Sequence, residues 1–69
     1  MKTISISDLA KRTQKHATWL GEDRPVYARP TLRGYRLMII SFIPVNSAQY
    51  EAEEQKLADD GWYKVDFTD

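Results

Sequence analysis

The stretch Gly34-Tyr-Arg-Leu-Met-Ile-Ile-Ser-Phe-Ile-Pro44 decides how this chain folds, because it is apolar at nearly every position in a protein of only 69 residues. Side chains alternate along a strand, so Leu37, Ile39, Ser41 and Ile43 face one way and Arg36, Met38, Ile40 and Phe42 the other. Both faces are mostly apolar and both need cover. A single small layer of helices covers only one of them. The second face is then exposed, covered by the rest of the chain, or buried against a second copy, and an exposed patch of this kind marks an interface. A homodimer is the first expectation.

Working outward, residues 25–29 and 35–43 read as two strands, joined by Pro30-Thr-Leu-Arg-Gly34, whose proline and glycine suit a hairpin connection. Residues 2–5 are short and β-prone and give a first strand. The helix after it has two possible starts. Ser5 as N-cap makes Ser5-Ile-Ser-Asp8 a capping box with Ile4 and Leu9 as a hydrophobic staple, whereas Ser7 is a simpler cap. Ile6, Leu9, Ala10, Thr13, Ala17 and Leu20 then recur at helical spacing, and Gly21 ends the run. Downstream, Pro44-Val-Asn-Ser47 stops the strand and starts a second helix, with Asn46 as cap, Gln49 at its third position and Val45 with Tyr50 as a second staple. Ala48, Tyr50, Ala52 and Leu57 give that helix a weak apolar stripe as far as Asp60, and Gly61 ends it. Alternation over residues 62–67, Trp62, Lys64 and Asp66 against Tyr63, Val65 and Phe67, reads as a last strand. The expected fold is one small α+β domain over residues 1–69, of element order β-α-β-β-α-β, with an antiparallel sheet and two helices.

A domain of this size buries only roughly 60% of the surface that its unfolded chain exposes, so the core is thin. There is no cysteine, which removes disulfides and thiolate metal sites as supports. The apolar run at residues 37–43 is far short of the ~20 residues that span a bilayer, and the first residues lack the apolar stretch of a signal peptide. A cytoplasmic protein without membrane contact is expected.

The net charge of zero hides a segregation. Residues 1–50 carry eight basic and three acidic residues, a net of +5, and residues 51–69 carry two basic and seven acidic ones, a net of −5. Between Arg24 and Tyr50 there is no acidic residue. The first part therefore attracts anions and the last part attracts basic surfaces.

Enzyme chemistry has little to stand on. His16 is the only histidine, so no multi-histidine or thiolate zinc site forms within one chain. Ser5, Ser7 and Ser47 are explained as caps. Glu51, Glu53, Glu54, Asp59 and Asp60 fit a solvated acidic helix face, with Glu53 and Lys56 an ordinary pair one turn apart. No glycine-rich phosphate loop can be built from three glycines so placed. No catalytic residue, metal or cofactor is expected. Binding residues are easier to name. Lys11, Arg12 and Lys15 form a helix edge that can meet phosphates, and Arg29, Arg33 and Arg36 around the hairpin add phosphate contacts or read guanine edges. Tyr27 and Tyr35 interleave with these arginines and suit either packing or base stacking. Tyr50, Leu57, Trp62, Tyr63 and Phe67 gather apolar and aromatic surface amid acids, which suits a basic protein partner. Closing the small core is the alternative role for Trp62 and its strand.

The opening MKTISISDLAKR, the hairpin RPVYARPTLRGYRLMIIS and the step VNSAQYEAEE resemble the Phd/YefM family of bacterial antitoxins and transcriptional repressors over residues 1 to about 54. That resemblance implies an N-terminal part that dimerises and binds operator DNA, and a C-terminal tail that wraps a toxin. The two charge halves suit such a division. LADDGWYKV reads instead as a helix-to-strand step, and the element order equally fits a ferredoxin-like sandwich, a fold that hosts many unrelated functions. A phage or mobile-element inhibitor that binds a host defence protein directly fits that second reading.

Overall fold

Ser5 settles where the first helix begins: its Oγ accepts the Asp8 backbone N–H at 3.1 Å, which satisfies one of the donors a helix N-terminus leaves open. The computed structural model describes residues 1–12 and 24–67, with the side chains of all but residues 10–12. In chain order the elements are β1 (Thr3–Ser5), α1 (Ile6–Arg12), β2 (Tyr27–Thr31), β3 (Gly34–Met38), α2 (Ala48–Asp59) and β4 (Tyr63–Asp66). The continuation of the first helix to Leu20, with Gly21 as its stop, falls outside the described residues.

The order of elements is the expected one, but the sheet is mixed rather than antiparallel, with strands arranged β1-β4-β2-β3. β1 runs parallel to β4, Ile4 standing opposite Val65. β2 runs antiparallel to both β3 and β4. β3 and β4 therefore point the same way with β2 between them, and α2 is the crossover that a return to the same direction demands.

The mixed order also explains the two apolar faces. Val26, just before β2, and Ala28 on it pack to one side and Tyr27 to the other, and all three are fully buried. Leu9 of α1 packs with Val26, Ala28 and Val65, joined by Ile4, Ile6, Tyr35, Leu37 and Ile39. Tyr50 of α2 packs with Tyr27, Ile40, Ile43 and Trp62, joined by Met38, Val45 and Leu57. Each helix thus covers its own face of one sheet. The uncovered face on which the expected homodimer rested is closed by the chain's own second helix.

β3 is shorter than the sequence suggests. Its pairing with β2 stops at Tyr27 and Met38, and in that register Ile40 would stand opposite Pro25, which has no N–H to give. The carbonyls of Ile40 and Ile43 are taken instead by the Arg24 guanidinium, whose Nη1 lies 2.5 and 2.7 Å away. Alternation is lost past Ile40: Ile43 turns into the α2-side core, while Phe42 is 86% exposed.

α2 begins one residue later than Asn46 would set it. Ser47 is the cap: its Oγ accepts the Tyr50 N–H at 3.1 Å and donates to the Pro44 carbonyl at 2.7 Å. Ser47→Ala should lower stability by about 1 kcal/mol in urea titration, the usual cost of losing such a cap, whereas Asn46→Ala should change it little. At the other end Gly61 adopts φ 90°, a conformation that favours glycine. It lets the Trp62 N–H reach back to the Leu57 carbonyl at 2.9 Å and the Gly61 N–H to Ala58 at 3.2 Å, the two bonds of a Schellman stop.

Candidate nucleic-acid interface

β4 pairs with β2 only at Tyr27 and Ala28, while β2 and β3 stay paired out to Thr31 and Gly34. Beyond Ala28 the sheet narrows to a two-stranded ribbon closed by Leu32 and Arg33. Gly34 takes φ 137° at the end of that turn, and the Arg33 N–H donates to Thr31 Oγ1 at 3.3 Å. Leu32 at the tip is fully exposed.

The ribbon's two faces differ. Arg29 and Arg36 stand directly opposite each other on the α2 side, and both are exposed. On the other side Pro30 stands opposite Tyr35, whose ring packs on the α1-side core. Arg29 Nη1 lies 3.3 Å from Asp60 Oδ2, an ion pair exposed to solvent. Among the described residues no carboxylate pairs with Arg33 or Arg36. Like charges directly opposite on a sheet destabilise it; Asp60 relieves that cost in part on the Arg29 side, and an anion bound at Arg36 would relieve it further.

Lys11 and Arg12, also singled out from the sequence, are not on this face. They belong to α1, which packs on the opposite side of the sheet, and Lys15 and His16 lie outside the described residues. Of the residues assigned to a protein partner, Trp62 and Tyr50 are buried at 7% and 3% exposure, so their role in this fold is packing. Trp62 Nε1 also donates to Asp60 Oδ2 at 3.3 Å. Leu57 and Tyr63 are half-buried. Phe67, at 38% exposure, remains available at the surface.

A polar chain that the sequence reading did not find runs under α2. Tyr27 donates its hydroxyl proton to Glu54 Oε2 at 2.7 Å and lies 2.7 Å from the Tyr50 hydroxyl. A phenol has one proton to give, so Tyr50 is the donor to Tyr27. Lys64 Nζ reaches the same Glu54 oxygen at 3.3 Å. Burial first, and then the bond that Tyr27 donates to Glu54 and the nearby Glu54 charge, push the Tyr27 phenol far above its ordinary 10.0. Burial alone would raise the Glu54 carboxyl. Its hydrogen bonds from Tyr27 and Lys64 and the Lys64 charge outweigh that and hold it below its ordinary 4.5. Two signals were available for this chain: Tyr50 and Glu54 are one helical turn apart, and Tyr27 and Lys64 are cross-strand partners. The second appears only once the register is known. Every buried side-chain polar atom among the described residues has a partner, so this chain is a closed structural element rather than an open site.

Among the described residues no group of three His, Cys, Asp or Glu side chains is placed to hold a metal, and no helix is long and apolar enough to cross a membrane. Comparison with protein families, curated proteins and solved structures returns no significant match.

Proposed function

We propose that this chain works by binding rather than catalysis, as a cytoplasmic operator-binding repressor or antitoxin of the Phd/YefM kind, and that the ribbon arginines Arg29, Arg33 and Arg36 make the nucleic-acid contact. The observation that carries this reading is the opposed Arg29 and Arg36 pair, kept on an exposed ribbon where, among the described residues, no carboxylate pairs with Arg36 or Arg33. Guanidinium groups so presented suit phosphate oxygens and guanine edges. The acidic last part of the chain is repelled by nucleic acid and is left for a basic protein such as a toxin.

Retardation of the DNA upstream of its own gene tests this. The complex should weaken as salt rises, and Arg33→Ala with Arg36→Ala should lower the slope of log K against log salt by about 1 for each phosphate that is no longer neutralised. No retardation at low salt removes the repressor reading.

Leu32 and Phe42, 105% and 86% exposed, favour a second reading: an inhibitor that docks on a host protein through apolar anchors. Under that reading a tagged protein pulled from its native host retains one protein partner when Arg33 and Arg36 are replaced, and loses it when Leu32, Phe42 and Phe67 are.

A further inference from the structure

We infer, resting on the nucleic-acid reading above, that the ligand is duplex DNA and that the ribbon enters its major groove, with the Arg29 and Arg36 face toward the base edges and Arg33 at the tip on a phosphate. The first ground is width. Past Ala28 neither β4 nor β1 flanks the hairpin, so what projects is two strands, about 5 Å between axes. A two-stranded ribbon fits the major groove, about 12 Å wide, as it stands, whereas the minor groove, about 6 Å wide, takes one only when the duplex is deformed.

The second ground is the difference between the faces. Arg29, Thr31 and Arg36 lie on one side of the ribbon by strand alternation and register, and all three are exposed. The opposite side is tied to the core through Tyr35, which fixes the face the ribbon can offer. Asp60 sits at the foot of the cationic face and holds Arg29, so Arg36 and Arg33 are the side chains free to lead. Three residues on each strand, at ~3.3 Å apiece, span about 10 Å, close to three base-pair steps.

The third ground separates duplex from single strand. Proteins that grip unpaired bases set exposed aromatic rings beside their cations. Here the ribbon's one aromatic, Tyr35, is half-buried on the face away from Arg29 and Arg36, and the stacking role expected for Tyr27 is closed because that ring is fully buried.

The test uses the intact protein and varies the DNA, so that folding of a variant is not in question. The probe is the duplex upstream of its own gene, presented as itself, as either separated strand, and with 7-deazaguanine in place of guanine, which removes the major-groove N7 acceptor. Displacement is followed with methyl green, a major-groove ligand, and distamycin, a minor-groove ligand. The inference requires displacement by methyl green and not by distamycin, at least tenfold weaker binding to either single strand, and a loss of about tenfold on 7-deazaguanine substitution. Displacement by distamycin alone, equal affinity for a single strand, or indifference to 7-deazaguanine overturns it while leaving the nucleic-acid reading in place. No binding to any of these DNAs removes both.

Discussion

Replacing Tyr27 by alanine is expected to leave the protein without a cooperative thermal transition. The side chain is fully buried at the centre of the α2-side core, and truncating a buried large aromatic costs about 3 to 5 kcal/mol. A domain of this length holds roughly 3 to 10 kcal/mol in all. The alanine variant also strips the Tyr50 hydroxyl and Glu54 of their shared partner, and a buried group left unpaired costs about 1 to 3 kcal/mol more. Tyr27→Phe keeps the ring and loses only the hydroxyl, so it should still melt cooperatively at a lower temperature. The same pair gives a pH test. Because the folded Tyr27 phenol titrates above its ordinary 10.0, its contribution is complete below pH 10 and is lost as pH rises beyond it. Melting temperature should therefore fall more steeply above pH 10 in the native protein than in Tyr27→Phe. Glu54 has the opposite sign. Its carboxyl is held below 4.5, so its contribution is present above that pH and fades as pH falls through the folded value, a slope that Glu54→Gln should flatten.

The second large effect is expected at Arg24. One guanidinium nitrogen serves the carbonyls of both Ile40 and Ile43, and hydrogen bonds to a charged group contribute about 1.5 to 3 kcal/mol each. With the site half-buried, water replaces part of what is removed, and Arg24→Ala should destabilise by about 2 to 4 kcal/mol. The damage should be local before it is global. Amide hydrogen exchange across residues 39–44 should quicken far more than in β2 or α2, and uniform exchange through the chain would show that Arg24 does not hold this segment.

How far the sequence could be read follows from which facts are local. Gly61 as a helix stop and Ser5 as a cap depend on a few neighbouring residues, and both stand in the structure. The alternating apolar faces of residues 35–40 also hold, Tyr35, Leu37 and Ile39 lying against α1 and Met38 and Ile40 against α2. What failed needed register. The end of β3 depends on Pro25 standing across from Ile40, the parallel course of β1 depends on Val65, and the burial of Trp62 depends on its sharing a face with Tyr27. Trp62 among acids has the local composition of a surface anchor, and only the sheet order turns it inward. The arginines divide in the same way. Their number is plain in the sequence, but that Arg29 and Arg36 oppose each other while Lys11 and Arg12 sit on a helix across the sheet is a property of pairing.

The place of β4 carries a consequence for synthesis. This strand follows the other three in chain order, yet it lies inside the sheet between β1 and β2, and the Lys64 N–H closes on the Lys2 carbonyl at 2.9 Å. Until residues 63–66 have left the ribosome, β1 has no neighbour and Ala28 has nothing along its outer side. Such end-to-end pairing puts a chain at the slow end of small-domain folding. The nascent protein therefore emerges with Tyr27, Met38 and Ile40 waiting for α2 and Trp62 to cover them, a window in which a chaperone or a protease meets it before any ligand can.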